Sequence, residues 1–474
     1  MRSLAHRVLG PCLLVAATLG VSQPACAQQL TTGFDEPLFQ SSNPSVRQFW
    51  LSHAAAEHAG IVRLNISWKG VVHAVPASEA QASDPSWSGY DFSVTDGVVR
   101  DAAAAGLNMM LTLAGGAPRF AEGPGRPGSA LAGSWQPNAS AYGAFARAVA
   151  LRYSGTYTPP GSSVALPRVR FWQAWNEPNL SIYLTPQWTG SPGHYRPASP
   201  SVYRPLLDAF YAAVKGVDRE NLVIAAGTAP YGDLPGGERM PPAQFVRNLL
   251  CLDESGRRAL SCPQHASFDI FDHHPYAIEG PFWHALNRDD VAIADMGRLT
   301  GPLRQAERLR LLGGARRHQV WATELSWDSN PPDPRGVPAA EQARWLEQSM
   351  YELWREGVST MLWYLIVDAP PIPSYAASYQ SGVYLLDGTP KPSASAFGFP
   401  FVAARAGRGR MLAWLKAPAS GLLYLERQTR KGWRVIYDTR VREGEILLHR
   451  FRARSHMTLR ASIGQLHSLP FTGR

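Results

Sequence analysis

Cysteine is scarce in this chain. Of 4 cysteines in 474 residues, Cys12 and Cys26 fall within the first 27 positions, which leaves Cys251 and Cys262 alone in the remainder. No His or Cys stands at ligand spacing around that pair, so a zinc-type cluster is not expected. Outside the cell the pair reads as a disulfide closing a short loop, worth about 3 kcal/mol in the chain-entropy account. The longest apolar run, 9–21, is too short to span a bilayer. Internal repeats and long flexible linkers are missing. So is a Gly-rich phosphate fingerprint after the early strands, which argues against a nucleotide-binding doubly wound sheet. No nucleic-acid-binding motif is present. With 45% hydrophobic and 18% charged residues, neither disorder nor a fibrous repeat is indicated.

What is present begins with an export signal. Arg2, His6 and Arg7 precede the apolar run, and Ala25-Cys26-Ala27 supplies a small-x-small site, so residues 1–27 read as a signal peptide cut after Ala27. Gln23 stands where a lipoprotein signal needs an apolar residue, which discounts lipidation of Cys26. The expectation is a secreted, extracellular protein with no membrane span. Aromatics are plentiful, with 15 Trp and 17 Tyr; this suits a sugar-binding cleft or simply an aromatic-rich core. The formal charge of +9 is unevenly placed. From Ala403 onward there are 15 Lys+Arg and 4 Asp+Glu, whereas the rest of the chain carries 31 and 33. A basic C-terminal segment raises the expectation of association with an acidic cell-wall polymer. The alternative is a solvated β surface rich in Arg, since only 5 of the 46 basic residues are Lys.

Short apolar runs alternate with amphipathic stretches over about 370 residues. Strands are expected near 33–39, 61–68, 107–114, 169–175, 222–226, 268–273, 320–323 and 360–367. Helices are expected near 45–58, 93–105, 139–153, 201–217, 302–312 and 339–355. Eight such strands predict an α/β fold, a (β/α)8 TIM barrel over 28–402. After Lys391-Pro392 the pattern turns to short strands at 411–416, 421–427, 433–438, 445–450 and 456–460, a small antiparallel, β-sandwich-like accessory domain over 403–474. Residues 38–40, or the segment just after the leader, are a candidate extra strand for it.

In such a barrel, functional residues gather at the C-terminal strand ends. The fourth strand runs into Trp175-Asn176-Glu177-Pro178-Asn179 and the seventh into Thr323-Glu324-Leu325. Each places a carboxylate where an apolar run stops. Two carboxylates across a cleft are the minimum for glycosidic cleavage, one as acid and one as nucleophile or base. Their pKa values must differ, and Arg63 at the end of the second strand is the candidate cation to keep one ionised.

The string Trp175-Asn176-Glu177-Pro178 resembles the fourth-strand motif of the clan A glycoside hydrolases, and with Asn179 it most resembles family 39 and its relatives. The resemblance covers roughly 33–401, sharply at the fourth and seventh strands and loosely elsewhere. It implies that Glu177 is the acid/base, that Asn176 bonds the sugar 2-hydroxyl and that Glu324 is the nucleophile. Arg63 matches the second-strand Arg, His274-Pro275-Tyr276 matches the His-x-Tyr of the sixth strand, and Trp363 matches the eighth-strand Trp that floors the sugar subsite. Gly388-Thr389-Pro390-Lys391-Pro392 is similar to the segment that closes such barrels. Trp68, Trp283 and Trp327 are further candidates for stacking on sugar rings. The expected activity is retaining hydrolysis of an oligo- or polysaccharide by double displacement, with no metal or organic cofactor. A transglycosylase with the same residues, a carbohydrate-binding protein on a silent barrel and a wall-anchoring protein remain alternatives.

Overall fold

The computed structural model describes residues 29–452 and 457–472; the expected leader lies outside them. Eight parallel strands close into a barrel in sequential order. They are β1 (Thr31–Asp35), β2 (Ile61–Ser67), β3 (Asn108–Ala114), β4 (Phe171–Ala174), β5 (Leu222–Thr228), β6 (Ser267–His273), β7 (Gly313–Ala322) and β8 (Val358–Trp363). A helix follows each strand: α1 (Pro44–Ala56), α2 (Ser93–Ala104), α3 (Ala139–Arg152), α4 (Ser199–Val217), α5 (Pro242–Leu249), α6 (Gly297–Leu309), α7 (Ala339–Arg355) and α8 (Pro392–Gly398). The expected alternation is present, including α5 and α8, which are short and were not visible as periodic stretches. Residues 37–40 form a 3-10 turn capped by Glu36 and not a strand of the C-terminal domain. Pro37 at the turn's first position sets φ without removing a needed donor.

The barrel interior is sorted by the period of two along each strand. Its lower layer is an apolar plug of Ile61, Met110, Ile224, Ile270, Trp321 and Leu362, with Phe171 packed against it. Two residues further along, the inward positions turn polar: Arg63, Thr112, Gln173, Asp272 and Thr323 are all buried. The strands' outward residues pack against the helices in a larger apolar layer. Gly33 and Gly314 permit the closest strand approaches, since a Cβ at either would lie 1.9 Å from a carbonyl oxygen of the adjacent strand, Ile61 and Phe268 respectively.

The C-terminal strands are antiparallel. A three-stranded sheet holds β9 (Phe401–Arg405), β10 (Arg410–Lys416) and β13 (Ile446–Arg452). A second sheet holds β11 (Gly421–Thr429), β12 (Gly432–Val441), β14 (Thr458–Ile463), β15 (Leu466–His467) and β16 (Phe471–Thr472). Trp414 of β10 packs on Tyr351 and Trp354 of α7, at ring separations of 5.8 and 6.1 Å, and this fixes the first sheet to the barrel. Cys251 and Cys262 are joined in a disulfide after α5. Among the described residues, no helix is long and apolar enough to cross a membrane.

Candidate active site

The polar interior layer converges on Arg63. Its guanidinium is 1% exposed and spends its donors on five side chains. Nε bonds Thr112 at 3.0 Å, Nη1 bonds Asp35 at 2.8 Å and Glu324, and Nη2 bonds Gln173 at 2.9 Å and Asn176 at 2.6 Å. A planar five-donor cation is suited to this fork. Asp272 sits on the far side and accepts from Gln173 and Thr323, each at 2.5 Å. Both carboxylates above this layer are thus held on a fixed polar platform, over a cavity of about 510 Å³ at the C-terminal ends of the strands.

Glu324 leaves the end of β7 and Glu177 the end of β4. The β4 exit is bent: Trp175 and Glu177 both have positive φ, 70° and 41°, a costly conformation for non-glycine residues that recurs at functional sites. The bend is secured on all sides. Trp175 N–H donates to the Tyr142 hydroxyl at 3.0 Å and its indole donates to the Tyr183 carbonyl at 3.1 Å. Asn179 is buried and bonds Ala229 and Met240 backbone groups, so this motif residue anchors the loop. Asn176 accepts from Arg63 at its side-chain carbonyl oxygen, which leaves its amide N–H groups free for the cavity it lines.

His274 stands between the carboxylates. Its Nδ1 is 3.0 Å from Glu177 Oε1 and 3.4 Å from Glu324 Oε1. Tyr276 donates its hydroxyl to Glu324 Oε2 at 3.3 Å. One oxygen of each glutamate and one His274 nitrogen lie within 4.8 Å of one another. Among the described residues this is the one group with metal-ligand donors so placed; the Arg63 guanidinium already occupies Glu324 as its cation. Electrostatics separate the two glutamates. Burial raises Glu177, and its bond to His274 only partly offsets this, so the carboxyl stays above its usual value. Burial also pushes Glu324 up, but the positive charges of His274 and Arg63 outweigh it and hold the group below its usual value. His274 itself is pushed up to about 10: burial opposes its charge, while Glu324, Asp272 and Glu177 favour it. Asp35 is pushed up to about 6 by burial against the pull of Arg63.

Glu177, Glu324, Asn176, Arg63, His274 and Tyr276 therefore come together at the C-terminal ends of the strands. The neighbouring His273 does not join them; it is buried and bonded to Thr228 and the Val291 carbonyl. Trp363 is placed elsewhere. It is fully buried, donates its indole N–H to the Ser381 carbonyl at 2.8 Å and lies in the strand–helix layer. The reason is parity: Leu362 faces into the barrel, so the next residue faces out and Tyr364 returns to the cavity wall. Trp68 packs on Phe145 and Trp327 is 8% exposed, so both serve the core; Trp283 packs near Tyr231. The aromatic walls of the cavity are Tyr183, Tyr364 and Tyr379, all on loops or strand ends where no periodic signal marks them. Asp35 was missed, because β1 (Thr31-Thr32-Gly33-Phe34-Asp35) is no apolar run whose end would mark it.

No protein-family model matches the chain, and no curated protein matches it. Solved structures do resemble it. A family 39 glycoside hydrolase from the gut symbiont Bacteroides cellulosilyticus WH2 is 17% identical, with 90% of this chain and 82% of that one covered at a TM-score of 0.52. A monomeric beta-xylosidase from Caulobacter crescentus CB15 is 15% identical, with 90% and 94% covered at a TM-score of 0.48. At 17% identity the likeness to the Bacteroides structure bears on architecture alone, a (β/α)8 barrel followed by an antiparallel β domain.

Proposed function

We propose that this chain is an exported glycoside hydrolase that cleaves O-glycosidic bonds of an oligo- or polysaccharide with net retention. The observation that carries the reading is the carboxylate pair itself: two glutamates whose oxygens approach within 4.8 Å, one pushed up and the other held down in pKa. Oxygens that approach this closely favour double displacement, with its carboxyls ~5–5.5 Å apart, over inversion, where roughly 6.5–9.5 Å leaves room for a water. The Bacteroides enzyme with the same architecture is described as a glycoside hydrolase, which supports the class. The leader-like residues 1–27 support export.

Glu324, ionised beside Arg63, attacks the anomeric carbon, while Glu177 delivers its proton to the leaving oxygen. Tyr276 and Arg63 orient the nucleophile, and Asn176 offers its amide to the sugar. Glu177, now a carboxylate, takes a proton from water as the water oxygen bonds the anomeric carbon and the bond to Glu324 breaks, which releases the sugar and restores both groups. His274 bonds Glu177 and lies next to Glu324, so its positive charge steadies whichever carboxylate is ionised at each step.

The test is turnover of residues 28–474 on aryl glycosides and polysaccharides, furanosides and microbial wall glycans included, beside Glu324→Gln. The expected result is activity abolished by the substitution and a first-formed product of unchanged anomeric configuration by NMR. Activity surviving in Glu324→Gln, or an inverted first product, would refute the assignment.

A further inference from the structure

The catalytic cavity does not end at its aromatic wall. Tyr379 lines it and also lines a second cavity, of about 720 Å³. Tyr379 is 48% exposed, and its ring stands edge-on to Tyr364 at 5.1 Å. The second cavity is a groove walled by the loops after β6, β7 and β8, which bring Ile278, Asp328, Arg335 and Tyr375 to it together with the nearly buried Trp327. These are the loops that leave the catalytic groups: Ile278 is two residues beyond Tyr276, and Asp328 is four beyond Glu324.

The groove is held in shape by the protein itself. Asp328 Oδ1 accepts the Gln380 N–H at 2.8 Å, and the Ser329 N–H donates to the Gln380 carbonyl at 3.1 Å, which joins the loops after β7 and β8. The buried Lys391 ammonium ties the same loops, with bonds to Ser329 Oγ at 2.8 Å, Asp368 Oδ1 at 2.6 Å and the Gln380 carbonyl at 3.0 Å. The Trp327 indole donates to the Ala277 carbonyl at 2.6 Å and fixes the loop after β6 to them. A preformed groove of this kind costs little to occupy. Within the frame Ile278 is 64% exposed and Arg335 is exposed. Asp328 Oδ2 has no partner among the described residues, so it can accept from a ligand hydroxyl. The charged lining is Arg335 with Asp328 and Asp333, one cation against two carboxyl groups, which does not favour a polyanion.

We infer that this groove is a second saccharide subsite, reached across Tyr379, and that the substrate is a neutral oligosaccharide chain long enough to occupy both cavities. The inference rests on the glycosidase reading of the carboxylate pair, which fixes one sugar ring at Glu177 and Glu324. The units linked to that ring pass over Tyr379 and meet Ile278 and Tyr375, with Asp328 and Arg335 placed for hydroxyl groups. Apolar and aromatic surface beside a few convergent polar groups is the make-up of a site for a small polar ligand. Contacts made there, remote from the bond that breaks, favour long chains over short ones.

Residues 28–474 carrying Glu324→Gln, so that chains are held and not cleaved, would be titrated by calorimetry with cellohexaose, xylohexaose, mannohexaose and laminarihexaose, each beside its disaccharide. At least one hexasaccharide should bind about ten-fold more tightly than its own disaccharide, the scale of one or two good contacts. Adding Ile278→Ala and Arg335→Ala, both at exposed positions, should remove most of that advantage and leave the disaccharide's affinity unchanged. Binding of no hexasaccharide, equal affinity for long and short chains, or a length advantage that survives the two substitutions would overturn the inference. Turnover of aryl glycosides with and without Glu324→Gln decides the catalytic reading separately. A length advantage alongside activity that survives Glu324→Gln would keep the subsite and refute the nucleophile. Turnover that depends on Glu324, with no length advantage, would do the reverse.

Discussion

Replacing Arg63 with Met is the most searching perturbation the site offers. The side chain keeps most of its volume and loses its charge, so the change is electrostatic more than steric. Five partners lose a donor together: Asp35, Thr112, Gln173, Asn176 and Glu324. Two of them are carboxylates in the barrel interior, and Asp35 is pushed up to about 6 even with the guanidinium beside it. Removing one partner of a buried ion pair costs about 3–5 kcal/mol, and here one cation serves two acids. The sign of the pH dependence follows. Without Arg63 both folded-state pKa values rise above those of the unfolded chain, so the folded state binds more protons and loses stability as pH increases through that window. The penalty should therefore be largest near neutral and alkaline pH and shrink as pH falls toward 4. In the native protein Glu324 behaves oppositely: its pKa is depressed, and its contribution is present above its unfolded value and lost as pH falls through the folded one. Urea midpoints of both proteins at pH 4.5 and pH 8 would measure this, with kcat/KM against pH for the native enzyme's acidic limb. A destabilisation that does not change with pH, or one larger in acid, would refute the view that Arg63 acts as counter-ion to these carboxylates.

Other outcomes follow from the same geometry. Glu177→Gln should lower kcat by about 10²–10⁴ on substrates with poor leaving groups and much less on activated aryl glycosides in the glycosylation step, a split read by steady-state kinetics across leaving groups. The native pH profile should be bell-shaped, with the upper limb set by the raised Glu177 and the lower limb by Glu324 below its usual value; a flat profile across the acidic range would contradict the pair. Gly227 has φ +59°, and a Cβ there would come within 2.8–3.0 Å of Gln173, His274 and Asp272. Gly227→Ala should therefore destabilise the protein by about 1–3 kcal/mol and lower kcat through the displaced imidazole, as thermal melting and kinetics would report. Paired Ser substitutions at Cys251 and Cys262 should cost about 3 kcal/mol without changing KM, because the bridge closes a loop after α5 away from the carboxylates.

How much of this was visible in the sequence depended on how locally each feature is encoded. Buried parallel strands announce themselves as apolar runs, so the barrel strands were found, though not their bounds: β1 was placed two residues late at its start, and β7 begins seven residues before the expected 320, in the polar stretch Gly313–Gln319. The edge strand β9 was missed because 401–405 continues from the Pro-rich segment that ends the barrel without a turn signal. At the site, Glu177 carried a five-residue motif, and Glu324 stood at the end of an apolar run. Gln173 is a single polar residue in an apolar strand, and Asp35 and Asp272 stand among other polar residues of β1 and β6. Each looks like an imperfection until all are placed on one interior layer. Trp363 shows the converse error: the residue type was right for a sugar platform, but its position within the strand was odd where Leu362 was even, and side-chain parity decided where it pointed.

That same parity explains why one barrel can shift two neighbouring glutamates in opposite directions. The apolar plug beneath keeps water from the strands, so any charge one layer above it must be paired within the protein. Arg63 supplies the pairing and, because its fork is planar, fixes the direction from which Glu324 and Asn176 meet it. Glu324 therefore lies over the cation, whereas Glu177 is joined to the network only through His274. The imidazole is shared, with Nδ1 3.0 Å from Glu177 and 3.4 Å from Glu324. The opposite pKa shifts of the two glutamates are thus set one layer below the cavity, by which of the two carboxylates stands on Arg63. Arg63→Lys puts this to a separate test. A point cation can keep Glu324 ionised but cannot also hold Asn176 and Gln173. The pH profile should keep its lower limb while KM rises through the misdirected Asn176; loss of the lower limb with an unchanged KM would reverse the roles assigned here.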